Sequence, residues 1–145
     1  MTTIFSRIIA GELPGRFAYA DDQCVAFSTI EPITPGHKLV VPRAEVASFA
    51  DAPDDLLGHL IVVAKRIGLA QQMAYPGTRA VMMIAGFDVD HLHLHVCAAV
   101  DQSEMTFAHA RPASAEDLDA ACEAVREALR RLGFGDFVPG NMGVL

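Results

Sequence analysis

The stretch His91-Leu92-His93-Leu94-His95-Val96 alternates an imidazole with an aliphatic side chain at every step. A period of two is the mark of an extended strand, whose successive side chains point to opposite faces. The pattern predicts a strand over 91–100, with Leu92, Leu94 and Val96 on a core face and His91, His93 and His95 together on the other. Such a strand needs paired neighbours for its backbone and a second layer to cover its leucines. The leucine face is explained by packing. Three imidazoles on the opposite face are not, because buried rings require partners and neighbouring imidazolium charges repel.

The remaining chain supplies both the neighbours and the second layer. Residues 17–20 and 24–28 flank Asp21-Asp22-Gln23 and read as a hairpin. Two prolines and a glycine make 31–36 a loop, and 37–41 a strand ended by Pro42. Acids around Pro53 open a helix in which Leu56, Leu60, Val63, Ile67 and Ala70 recur at helical spacing to about residue 75, where Pro76-Gly77 stops it. Residues 79–85 form an apolar strand. Ser114 with Asp117 starts a second helix that runs to about residue 132 and ends at Gly133. Hairpin strands covered by helices make this an α+β chain. One domain over 1–133 is expected, followed by a tail over 134–145 with no regular structure.

Composition narrows the function. The 145 residues are enough for one domain with a real core, and 52% are hydrophobic. A net charge of -7 without any basic run argues against a nucleic-acid polymer as partner. A single phosphate remains possible, since backbone N–H groups and one or two histidines suffice to hold it. Three separated cysteines, Cys24, Cys97 and Cys122, give neither a disulfide framework nor a zinc knuckle. No apolar run reaches membrane-span length and no leader is visible, so the expected location is the cytoplasm, without a membrane partner.

The histidine run itself admits two chemistries. Two of its imidazoles could grip a catalytic zinc, with His37 as a third ligand. Alternatively, one imidazole attacks phosphorus while its neighbours manage protons and charge, as neutral imidazole can do at pH 7. Spacing alone does not choose between them.

The run His91-Leu92-His93-Leu94-His95-Val96-Cys97-Ala98 resembles the signature of the histidine triad (HIT) family. The likeness extends to Ile4-Phe5-Ser6-Arg7-Ile8-Ile9-Ala10-Gly11-Glu12-Leu13-Pro14, to Asp21-Asp22-Gln23-Cys24-Val25-Ala26-Phe27 and to Pro35-Gly36-His37-Lys38-Leu39-Val40-Val41-Pro42. It covers roughly residues 3–132, in order, and is greatest to the Hint branch, which includes small bacterial members. The resemblance implies a five-stranded antiparallel sheet with two main helices, a homodimer, and transfer or hydrolysis at the α-phosphorus of a nucleotide without metal or other cofactor. It implies His93 as the nucleophile that carries the nucleotidyl group, His91 as its support, and His95 and His37 beside the phosphate. It implies a nucleobase pocket of Phe5, Ile8, Phe27, Ile30 and Leu39, with Gly86 and Asp88 near the phosphate.

The sequence also departs from that pattern. Thr29 stands where relatives carry the acid that grips the ribose, and one hydroxyl cannot replace a bidentate carboxylate. Gly86-Phe87-Asp88 replaces a Gly-Gln pair, and Met83 stands about where some relatives place a phosphate-binding Asn. An inward Asp88 would repel phosphate, so an outward orientation is expected. The leading expectation is a hydrolase of AMP- or GMP-linked phosphoramidates or acyl-nucleotides. Alternatives are a dinucleoside polyphosphate hydrolase, a non-catalytic nucleotide-binding module, and a metal hydrolase on His91, His93 and His37.

Overall fold

A computed structural model describes residues 2–145. Met1, the first residue of the expected domain, lies outside the described residues. A short helix α1 (Ile4–Ile9) precedes the hairpin β1 (Phe17–Ala20) and β2 (Cys24–Ser28). Then come β3 (Lys38–Pro42), the long helix α2 (Asp54–Ala74), β4 (Arg79–Met83), β5 (Leu94–Ala99) and helix α3 (Ala115–Leu129). The five strands form one antiparallel sheet in the order β1-β2-β3-β5-β4. This is the expected α+β architecture with two main helices, to which α1 adds a third.

Local chemistry explains most boundaries. Asp21 Oδ1 accepts the N–H groups of Gln23 and Cys24, both at 2.8 Å, and so fixes the hairpin turn. Pro53 takes the cap position of α2 rather than its first turn, and the expected start near residue 51 is a separate 3-10 turn at Phe49–Asp51. Ser114 caps α3 by accepting from the Asp117 N–H. That helix continues as a wider turn over Arg130–Phe134, where Gly133 adopts φ 91°.

Two apolar layers flank the sheet. On one face, Leu60, Val63 and Ile67 of α2 and Cys122, Val125 and Leu129 of α3 bury Ala26, Val40, Leu92, Leu94 and Val96. Each large aliphatic side chain buried here contributes about 1.5–3 kcal/mol. Helix α2 approaches β4 so closely that a Cβ on Gly68 would lie 2.7 Å from the Ala80 Cβ. On the other face, Phe5 of α1 joins Phe17, Val25, Phe27, Leu39 and Val41. Strand register aligns one residue per strand in a row on this second face: Phe17, Phe27, Leu39, His95 and Met83.

Two boundaries differ from the sequence reading. The strand expected over 91–100 begins only at Leu94, and that over 79–85 ends at Met83. Residues 91–93 make no ladder pairs, so pleat alternation does not group the three histidines. Other bonds do. The tail carries a 3-10 turn at Gly135–Phe137 and a bridge between Asn141 and Val144. It folds back on the hairpin: Phe137 stacks on Tyr19 at 5.1 Å, and the Phe17 N–H donates to the Met142 carbonyl at 2.7 Å. Buried Arg126 donates to the carbonyls of Phe17 and Pro139, each at 2.7 Å, tying tail, strand and α3 together.

Candidate active site

Four histidines meet where β3 and β5 pair, and their hydrogen-bond partners settle which nitrogens carry protons. The His93 Nδ1 lies 2.7 Å from the His91 carbonyl, which can only accept. Nδ1 therefore holds the proton, and the neutral ring keeps its Nε2 lone pair free. The backbone N–H of Ile33 donates to His37 Nδ1 at 3.0 Å. His37 must then carry its proton on Nε2, which lies 3.0 Å from His95 Nδ1. His95 thus accepts at Nδ1 and presents Nε2–H. One ring offers a lone pair and its neighbour, with centroids 5.0 Å apart, offers a proton.

The environment keeps these rings neutral. Burial, reinforced by the His95 and Lys38 charges, pushes His37 down to about 3. Burial and the nearby His93 push His95 down to about 4. Burial also lowers His93. Asp88 is exposed, and its charge opposes that lowering for both His93 and His95.

His91 is held differently. Its Nε2 donates to the Pro42 carbonyl at 2.8 Å, and its Nδ1 accepts from the Thr3 hydroxyl at 2.6 Å. The Thr3 oxygen in turn accepts the Ser6 N–H as the cap of α1. Glu45 gathers the Thr3 N–H at 3.0 Å and the Ser6 hydroxyl at 2.6 Å. Both ring nitrogens are thus committed away from His93. The ligand set His91, His93 and His37 does not converge, which corrects the metal-hydrolase alternative. His91 reaches His93 through its carbonyl, and its ring is tied through Thr3 to Ser6 and Glu45.

The expected base-pocket residues divide. Phe5 packs edge-on against His93 at 5.0 Å and against Phe27 at 5.6 Å. Ile8 and Leu39 belong to the same cluster. Ile30 stands apart, 68% exposed. Thr29 is half-buried, and its hydroxyl accepts the Glu31 N–H at 3.3 Å. It borders a cavity of about 660 Å³ beside His37, shared with Thr34, His109 and Arg111. Gly86 adopts φ 84°, a left-handed backbone that favours glycine. It turns the chain toward the triad and leaves Phe87 almost wholly in solvent. Met83 pairs with His95 across the strands.

Sequence reading missed Phe107 as it missed Glu45. Phe107, on a 3-10 turn after β5, sets its ring edge-on to His95 at 5.0 Å. Its segment is anchored where the N–H groups of Arg111 and Ala113 donate to the Pro32 and Ile30 carbonyls, at 3.4 and 3.3 Å. An isolated Phe in a polar stretch gave no local signal of this return.

With the site assembled, comparison with known proteins is informative. The HIT domain family model matches residues 10–101. The chain belongs to the HIT family. It is 39% identical over 100 residues to an uncharacterized HIT-like protein of Synechococcus elongatus, covering 65% of this chain and 87% of that one. Among solved structures, it is similar to a Hit-like protein involved in cell-cycle regulation from Bartonella henselae. There the TM-score is 0.79 at 29% identity, covering 88% of this chain and 96% of that one. A hypothetical histidine triad nucleotide-binding protein from Sulfolobus tokodaii matches with TM-score 0.76 at 27% identity, over 94% and 99% of the two chains. The span matched by the family model takes in the sheet, α2 and the histidine cluster of this HIT protein. Among the described residues, no helix is long and apolar enough to cross a membrane.

Proposed function

We propose that this HIT protein is a nucleotidyl hydrolase or transferase acting at the α-phosphorus of an AMP- or GMP-linked phosphoramidate or acyl-nucleotide. The observation that carries this is the pairing of opposite tautomers, a free Nε2 on His93 beside Nε2–H on His95. In the first step the His93 Nε2–P bond forms as the bond from phosphorus to the leaving group breaks. In the second, water attacks phosphorus, the P–N bond breaks, and nucleoside monophosphate leaves. His95, oriented by His37, donates to the phosphoryl oxygens as charge builds there. No step needs a metal or other cofactor. Dinucleoside polyphosphates would enter by the same attack.

We assign the purine base to the edge of the apolar set of Phe5, Ile8, Phe27 and Leu39, which pack as one cluster with Ile8 at its half-buried margin. Thr29 replaces a charged ribose grip, so the ribose contributes less to binding here than a carboxylate would allow. A homodimer is supported by the apolar side chains exposed on α2 (Ile61, Leu69 and Met73) and by Met82 on the edge strand β4. The composition and the three free cysteines fit a reducing, cytoplasmic setting.

Purified protein given an adenosine or guanosine phosphoramidate should release the monophosphate, and His93→Ala should lose this activity by several orders of magnitude while keeping its fold. Equal turnover by both proteins sinks the proposal. A second reading, a non-catalytic nucleotide-binding module, is favoured by the near-complete burial of His93, 5% exposed beneath Phe5. Calorimetric binding of a nucleoside monophosphate, with no turnover across a nucleotide panel, would select it.

A further inference from the structure

Away from the triad, three side chains of metal-ligating type converge where the β1–β2 turn meets α2. Asp21, Cys24 and His59 each offer a ligand atom, and these atoms lie within 4.8 Å of one another. His59 Nε2 is 2.7 Å from Asp21 Oδ2, and Cys24 Sγ is 3.8 Å from the same oxygen. The triad chemistry uses none of them. Asp21 Oδ1 is occupied by the N–H groups of Gln23 and Cys24, which locks the carboxylate and aims Oδ2 at the thiol and the imidazole.

We propose that Asp21, Cys24 and His59 form a binding site for a zinc-class divalent cation, with water in the fourth position. Three arguments support it. First, the spacing of Asp21 and Cys24 on a turn is that of paired ligands in tetrahedral zinc sites, with the third ligand arriving from a helix. Second, bonds of about 2.0–2.3 Å place tetrahedral ligands about 3.3–3.8 Å apart. Cys24 and Asp21 already meet this. The His59–Asp21 pair must open by less than about 1 Å, a small ring rotation for a side chain 26% exposed. Third, a mixed sulfur, nitrogen and oxygen set suits zinc better than magnesium or calcium.

The charge balance is also favourable. To ligate, His59 must carry its proton on Nδ1 instead of on the Nε2 that now donates to Asp21; the Cys24 thiol proton goes to solvent, and the carboxylate and thiolate together neutralise the dication. No electrons change hands. Two cations face the cluster, each bonded to an oxygen other than a ligand atom: Arg43 donates to the Asp21 carbonyl at 2.9 Å, and Arg66 to the Tyr19 hydroxyl at 2.7 Å. That hydroxyl donates to Asp21 Oδ2 at 3.2 Å. A bound ion would pin the hairpin to α2.

Cobalt(II) titration of the untagged full-length protein tests this. The expected result is one thiolate-to-cobalt charge-transfer band with tetrahedral d–d intensity, saturating at one ion per chain and releasing one proton per ion. Cys24→Ser and His59→Ala, each checked for native circular dichroism, should lose the band. Cys97→Ser and His93→Ala should keep it, which separates this site from the triad and its neighbouring thiol. Zinc should raise the melting temperature of wild type and leave that of Cys24→Ser unchanged. Absence of the band in folded wild type, or its survival in Cys24→Ser, would overturn the proposal.

Discussion

Two rings held neutral in the fold make stability depend on pH in a calculable way. His37 lies at about 3 and His95 at about 4, against 6.5 for an unperturbed imidazole. Below pH 6.5 the unfolded chain protonates both rings while the folded protein refuses, so the folded state binds fewer protons and stability falls with pH. The stabilisation is complete above 6.5 and is lost progressively down to 3–4. From pH 6.5 to 5 is 1.5 pH units, or about 2 kcal/mol for each fully shielded ring. His37 is buried and takes the full figure, whereas the half-buried His95 takes about half. The sum is about 3 kcal/mol, a large share of a stability of roughly 5–15 kcal/mol. Urea unfolding at pH 7 and pH 5 measures it. A His37→Gln/His95→Gln variant keeps amide hydrogen bonding but cannot titrate, and should lose no more than about 1 kcal/mol over the same interval. An equal loss in wild type and variant would refute the assignment of these rings as neutral.

Other consequences are directly measurable. Thr3→Val leaves His91 Nδ1 without its donor and α1 without its cap, so stability should fall by about 1–3 kcal/mol in denaturant titration. Because the same change loosens the carbonyl that holds His93, kcat should fall more than KM rises. Arg126→Met keeps the buried stem but abandons the Phe17 and Pro139 carbonyls, which should cost about 2–4 kcal/mol and raise amide exchange across the tail. The proposed homodimer predicts that wild type sediments as a dimer and that Ile61→Glu, which places a charge on the exposed apolar face of α2, sediments as a monomer with circular dichroism unchanged.

Much of this was legible because it is local. The Asp21 turn, the stop at Pro76-Gly77 and the Ser114 cap are each written within a few residues, and the helical spacing of Leu60, Val63 and Ile67 declares its own buried face. The histidine run was legible only in part. Alternation correctly placed Leu92, Leu94 and Val96 in one core, yet His91 and His93 precede the strand and are set by bonds to Pro42, Thr3 and the His91 carbonyl. Those partners lie up to 88 residues away in sequence. Glu45 and Phe107 were invisible for the same reason, since a carboxylate and an aromatic ring in loops acquire meaning only when the chain returns. Ile30 shows the converse case, because the resemblance assigns it to a base pocket while its loop leaves it exposed and outside the Phe5 cluster, and nothing within the segment itself marks that separation.

The backbone amide of Ile33 gives the histidine cluster a polarity. It sits between Pro32 and Pro35, which have no amide proton of their own to offer. By donating to His37 it sets the direction of the pair: His37 Nε2–H is given to His95 Nδ1, which leaves the His95 proton on Nε2. The pair is therefore polarised but does not conduct: the Ile33 amide keeps its proton, nothing can be fed in behind His37, and the direction reverses only if both rings exchange tautomers and the Ile33 N–H lets go. A peptide group with no titratable proton thereby decides which nitrogen of His95 is the donor.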